Sequence, residues 1–133
     1  MAAARLEGKP ALIDFTGFGC VNCRKMEAAV WTDAKVADLL NQKYVLISLF
    51  VDDKTPLPEQ IEVTDTDGSK RTLRTVGDKW SYLQRYKFGS NTQPMYILID
   101  NEGKPLTGSR SYDEDISEYM DFLNAGLDAY ANR

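Results

Sequence analysis

The sequence predicts an α/β domain in which a central mixed β-sheet carries helices on both faces. Three observations lead there. "ALIDF" (11–15) and "YVLISLFVD" (44–52) are β-rich runs separated by helical patterns, which makes a βαβ unit, right-handed in nearly all cases. "MYILID" (95–100) is a further apolar strand, and after the turn "NEGK" the stretch "PLTGSRSY" (105–112) reads as its hairpin partner. From about Asp113 to Tyr130, the residues Ile116, Tyr119, Met120, Leu123, Leu127 and Tyr130 lie along one face of an amphipathic helix.

The elements follow in order. "AAARLEG" reads as a short helical piece stopped by Gly8 and Pro10. The first strand, "ALIDF", has an acid as its fourth residue, and Gly17 and Gly19 break it. A helix then starts at about Cys20, with Cys23, Met26, Glu27 and Val30 on one stripe. "WTDAKVADLLNQ" restarts the helical pattern, capped by Thr32 or Asp33, with Val36, Leu39 and Leu40 facing inward. "YVLISLFVD" is nearly all apolar, as in a strand buried on both faces of a parallel sheet. "KTPLPEQ" is a turn-rich loop, and "IEVTDTDGSKRTLRTV" is a polar hairpin turning near Asp67-Gly68. "GDKWSYLQRYKF" (77–88) fits a helix with Trp80, Leu83 and Tyr86 or Lys87 at helical spacing.

Composition narrows the function. At 133 residues the chain has the size of one domain, and 43% hydrophobic with 27% charged residues is ordinary for a globular protein. A net charge of −4 argues against a nucleic-acid partner, which would need clustered Lys and Arg. The longest apolar stretch, Tyr44 to Val51, is far too short to span a bilayer, so no membrane insertion of this chain is expected. "MAAARLEGKP" has no apolar signal-peptide core. The expectation is therefore a cytosolic protein or a domain cut from a larger one. The chain has no histidine, so catalysis must run through cysteine, carboxylate, lysine or tyrosine.

Cys20 and Cys23 are the only cysteines, separated by Val21 and Asn22. Three uses of the pair compete. As a structural clasp, so small a loop would contribute roughly 2 kcal/mol, far less than a long loop does. As a zinc site, two thiolates without histidine are half a ligand set. As a redox pair, the motif has the setting it needs: a strand, a glycine-bearing loop and a helix that begins at the first sulfur. At a helix N-terminus the dipole and free N–H groups favour thiolate, the reactive form. A C-x-x-C beside a βαβ pattern reads as a thioredoxin-like redox motif. No metal and no cofactor is expected.

Two acids stand near the sulfurs. Asp14 lies six residues before Cys20 inside an apolar strand, and Glu27 one turn after Cys23. The plain alternatives are an acid at a strand end that reaches water and a solvated helix residue. The functional reading places two carboxylates beneath the cysteine pair. Negative charge and burial both raise a thiol pKa, and a buried carboxyl can accept and return a proton during exchange. With two acids nearby and no His between the cysteines, a reductant is expected in place of a strong oxidant.

"ALIDFTGFGCVNCRKME" resembles the thioredoxin-fold family: apolar strand, Asp six before the first Cys, then C-x-x-C. More narrowly, Val21 and Glu27 resemble the C-terminal thioredoxin-like domain of the DsbD thiol:disulfide interchange family. "VWTDAKVADLL" and "SNTQPMYILID" are similar to the segments that follow in that family, and the likeness covers about residues 8–52 and 90–130. Gly19 and Val21-Asn22 replace the Trp and Gly-Pro of thioredoxin itself, and residues 54–89 form an insert longer than the usual connection.

The resemblance implies a thioredoxin-like fold with Cys20 attacking, Cys23 resolving, and Asp14 and Glu27 modulating them. It implies a cis bond before Pro94, which would pack against the pair, and a Gln93 backbone offered to a partner chain. Without it a trans turn proline would be the default. Phe18, beside the cysteines, is an expected exposed contact, whereas Trp80, Tyr82 and Tyr86 are expected to serve core or helix packing. Further implications are a monomeric chain exchanging disulfides with protein partners, and a periplasmic domain excised from a membrane-anchored protein. The rivals are a free-standing cytosolic reductase and a binding module with an inert cysteine pair.

Overall fold

The computed structural model describes residues 7–133. The helical piece expected at the start falls almost entirely outside them. Strands β1 (Ala11–Thr16), β2 (Val45–Phe50) and β5 (Met95–Ile99) form a sheet in the order β2-β1-β5. β2 runs parallel and β5 antiparallel to the central β1. Between β2 and β5 the chain forms a separate two-stranded sheet, β3 (Pro56–Thr64) with β4 (Lys70–Thr75). Interspersed with the strands, the helices that lie wholly within the described residues are α1 (Val21–Ala29), α2 (Ala34–Gln42), α3 (Val76–Phe88) and α4 (Ile116–Ala131). The architecture is the expected mixed sheet with helices on both faces.

Side-chain alternation along β1 divides the core. Leu12 faces Met26 and Val30 of α1, Val36 and Leu40 of α2, and Tyr119, Phe122 and Leu123 of α4. Ala11, Ile13 and Phe15 face the other way, where Trp80, Leu83 and Phe88 of α3 cover them. All six residues of β1 are buried, so the strand that leads to the cysteines is covered on both faces.

Three sequence expectations need correction. Residues 56–60 of the expected "KTPLPEQ" loop belong to strand β3. β2 is a half-exposed edge strand, with Leu46 40% exposed, because nothing among the described residues pairs with its outer side. Its apolar run reflects one buried face plus an uncovered edge. The hairpin expected at 105–112 does not form a regular strand. It is bridged at Ile99 to Pro105 and at Tyr96 to Arg110. Three steps along β5 face five along the returning chain, so two residues must loop out between the bridges.

The insert turns where expected, with Gly68 at φ 84° and its N–H bonded to the Asp65 carbonyl. Buried Asp65 joins the hairpin to α3, bonded to Arg71 at 2.9 Å and to Arg85 at 2.8 Å. Arg85 foremost, then the N–H of Thr66 and, least, Arg71 hold the carboxylate below its usual range. Thr75 and Asp78 close a capping box at the start of α3. Trp80 packs on the sheet as expected, whereas Tyr86 is 67% exposed and stacks on Tyr82 at 5.5 Å. Tyr82 and Tyr86 sit one helical turn apart on the flank of α3 that lies beside the hairpin, away from the face that covers the sheet.

Candidate active site

Strand direction gathers the site. β1 and β2 are parallel and β5 is antiparallel, with Phe15 opposite Met95. The end of β1, the end of β2 and the start of β5 therefore lie at one end of the sheet. The Gly17–Cys20 loop, the Val51–Asp53 segment and the Thr92–Pro94 loop leave from that end.

Cys20 is the N-cap of α1 and forms a disulfide with Cys23. The N–H of Cys23 donates to Sγ of Cys20 at 3.2 Å, so one of the orphan donors of the helix start is aimed at this sulfur. Cys20 is partly exposed, while Cys23 is buried beneath the first turn. One sulfur is open to an incoming partner and the other is held a turn behind it.

Asp14 is 3% exposed and lies on the β1 face that α1 covers. Ser48, opposite it on β2, donates to Oδ2 at 3.4 Å, and buried Oδ1 has no partner among the described residues. Burial above all, then the Glu27 carboxylate, push the Asp14 carboxyl up to about 7, against the opposing pulls of Ser48 and Arg24. The alternative of an acid reaching water at the strand end does not hold. Glu27 is half-buried and paired with Arg24 at 2.9 Å. The Arg24 guanidinium also donates to the buried Thr16 hydroxyl at 3.0 Å. Arg24 thus ties α1 to β1 through Thr16 while pairing with Glu27.

The Gln93–Pro94 bond is cis and Pro94 is buried. Phe18 is 62% exposed and stacks on Phe50 of β2, ring centroids 4.1 Å apart. Asp52, two residues further on, accepts from the N–H of Phe18 at 2.8 Å and of Gly19 at 3.1 Å. Desolvation works against the charge of exposed Asp52, but these two N–H groups and Arg24 hold its carboxyl below the usual value. Phe50 and Asp52 together fasten the loop that presents Cys20. Sequence reading took both only as the end of a strand. Their role could have been inferred from parallel pairing, which brings the end of β2 beside the end of β1. Gln84 of α3, likewise missed, bonds to the Thr92–Pro94 loop. Among the described residues, no group of three or more Cys, Asp or Glu side chains could hold a metal ion.

A disulfide-forming C-x-x-C at a helix N-terminus, delivered by a buried strand, defines a thiol:disulfide oxidoreductase of thioredoxin-like fold. The chain belongs to the thioredoxin-like domain family, whose model matches residues 1–124. No curated protein matches it. Among solved structures it is similar to a DsbH oxidoreductase, with TM-score 0.65 and 16% identity over 96% of this chain and 78% of that one. A thioredoxin from Thermus thermophilus superposes with TM-score 0.61 and 21% identity, covering 92% and 77% of the two chains. The oxidised C-terminal domain of Neisseria meningitidis DsbD gives TM-score 0.50 and 18% identity over 90% and 86%. At these identities the likeness is one of fold.

Proposed function

We propose that this chain is a dithiol relay that works as a protein-disulfide reductant. The carrying observation is the asymmetry of the pair: Cys20 partly exposed at the helix cap, Cys23 buried behind it. In the reduced form, Cys20 thiolate attacks one sulfur of a partner disulfide. A mixed disulfide forms and the partner's other sulfur leaves as thiolate. Cys23 then gives up its proton and attacks Cys20, which releases the partner's second sulfur and closes the Cys20–Cys23 disulfide. Two electrons pass to the partner, and a dithiol donor restores the pair by the reverse exchange. Asp14, with its carboxyl near neutrality, is the group that takes and returns the Cys23 proton. Glu27 adjusts Asp14 through its charge, while Phe18, Pro94 and the Gln93 backbone receive the partner.

The resemblance to the DsbD C-terminal domain supports a finer reading: a monomeric periplasmic domain of a larger membrane-anchored protein, fed by a membrane-embedded donor. No helix among the described residues is long and apolar enough to cross a membrane. In a cytosolic reductase the chemistry would be the same and only the donor would differ.

Reduction of a protein disulfide by the wild-type chain, Cys20→Ser and Cys23→Ser tests the mechanism. The expected outcome is no turnover for either variant, with a trapped mixed disulfide for Cys23→Ser alone. Activity surviving in Cys20→Ser would overturn the assignment, and a wild-type chain without turnover would support the inert binding module. The potential of the pair is expected near the thioredoxin value, about −270 mV, whereas one near about −120 mV would overturn the reductant reading.

A further inference from the structure

The connection from α3 to β5 carries Gln93 and Pro94, and one residue outside it holds almost its whole length. Gln84 lies in the last turns of α3 and is 0% exposed. Its main-chain carbonyl accepts from the N–H of Ser90 at 3.4 Å. Its side-chain Nε2 donates to the Thr92 carbonyl at 2.7 Å and faces Sδ of Met95 at 3.3 Å. Its Oε1 accepts from Nε2 of Gln93 at 2.9 Å, and that same Nε2 reaches the Asn91 carbonyl at 3.2 Å. The orientation of both amides is fixed by chemistry: a carbonyl faces each nitrogen, so neither can be turned around without opposing two acceptors.

Burial makes this arrangement consequential. A dry amide with all its groups engaged is worth keeping, whereas leaving one carbonyl or one NH2 unpaired there is costly. The same bonds pull the Gln93 side chain back along the loop. The main-chain N–H and C=O of Gln93 take part in none of them.

We propose that Gln84 is a positioning residue for partner binding. It clamps the 90–95 loop so that the Gln93 main chain is presented in one fixed pose to an extended segment of a protein disulfide substrate. This rests on the reading above, that Gln93 receives the partner backbone. A small aromatic disulfide has no flanking peptide and does not use the pose. The clamp therefore selects protein disulfides over small ones.

The test is steady-state reduction of two substrates, a folded protein disulfide and 5,5′-dithiobis(2-nitrobenzoate), by the wild type and Gln84→Met. Methionine keeps length and volume while removing every polar bond of the side chain. KM for the protein disulfide is expected to rise about tenfold with kcat within about twofold, and the loss in kcat/KM to exceed that on the small disulfide by about fivefold or more. Gln93→Met is expected to reproduce the loss on the protein substrate, and the double variant to lose no more than either single one, because both break one clamp. If Gln84→Met does not fold, Gln93→Met alone is read on the two substrates against the same expectation. Equal losses on both substrates, no loss, or additive losses would overturn the inference alone. A wild-type chain that reduces neither substrate would overturn the redox reading and this inference with it.

Discussion

Asp14 and Ser48 face each other across the β1–β2 pair, and among the described residues the Ser48 hydroxyl is the one hydrogen-bond donor to the buried Asp14 carboxyl, with none at Oδ1. A carboxyl so placed is poorly suited to carry charge. A carboxyl that holds its proton to about pH 7 fits the proton transfer proposed for thiol exchange.

That proton gives stability a definite pH dependence. An unfolded Asp releases its proton near pH 3.9, while folded Asp14 holds it to about 7. Between these values the folded state binds more protons, so stability falls as pH rises. Asp14→Asn removes the effect while keeping the size. Relative to wild type, the variant is expected to gain up to about 4 kcal/mol on going from pH 4 to pH 8. Guanidinium denaturation of the oxidised proteins at both pH values measures it, and any packing cost independent of pH cancels in the difference. Equal differences at the two pH values would show that Asp14 ionises freely.

Glu27 and Arg24 act on Asp14 in opposite senses. The Glu27 carboxylate raises the Asp14 pKa and the Arg24 guanidinium lowers it. Glu27→Gln is expected to move the Asp14 titration to lower pH, and Arg24→Gln to move it to higher pH. Carboxyl-carbon NMR titration of Asp14 in the two variants reads this directly. Shifts of the same sign would show that the two variants act on Asp14 through changed burial and not through charge.

The legibility of the sequence followed how local each cause was. Cys20 at the helix cap, Cys23 behind it and the turn at Gly68 depend on neighbouring residues, so spacing and turn chemistry revealed them. The burial of Asp14 could be suspected from its apolar neighbours, but its partners lie on β2 and α1. The edge position of β2 and the broken pairing of 105–112 depend on which strands meet, and an apolar run does not encode that. Asp52 and Gln84 were invisible for a related reason. Each looks like an ordinary polar residue until tertiary contact places main-chain groups of another loop against it.

Asp52 is expected to govern the order of the loop before Cys20. Its carboxylate takes two N–H groups, and Phe50 adds the ring under Phe18. Because the site is exposed to water, Asp52→Ala is expected to cost only about 1 kcal/mol of global stability. Local opening should change more: amide exchange at Phe18 and Gly19 should accelerate by about tenfold near neutral pH while the β1 amides stay protected. Unchanged exchange at those two amides would show that the Phe18–Phe50 stack holds the loop unaided.

The 51–53 segment that carries Asp52 packs closely on a glycine. Gly77, in the first turn of α3, donates its N–H to the Asp53 carbonyl at 2.9 Å. A Cβ there would stand 2.5 Å from the Val51 carbonyl oxygen and 2.7 Å from both N and O of Asp53. These are backbone atoms, so no side chain can swing away to relieve the clash. Gly77→Ala must push α3 and the 51–53 segment apart, at a cost of about 1–3 kcal/mol. The same movement carries Asp52 away from Phe18 and Gly19, so the variant should also show the accelerated amide exchange expected of Asp52→Ala. Gly108→Ala supplies the control, because nothing lies within 4 Å of its added methyl and its cost should stay within about 0.5 kcal/mol. Thermal denaturation and amide exchange of the two alanine variants decide the matter. Lost stability in Gly77→Ala with normal protection at Phe18 and Gly19 would separate the α3 contact from the active-site loop.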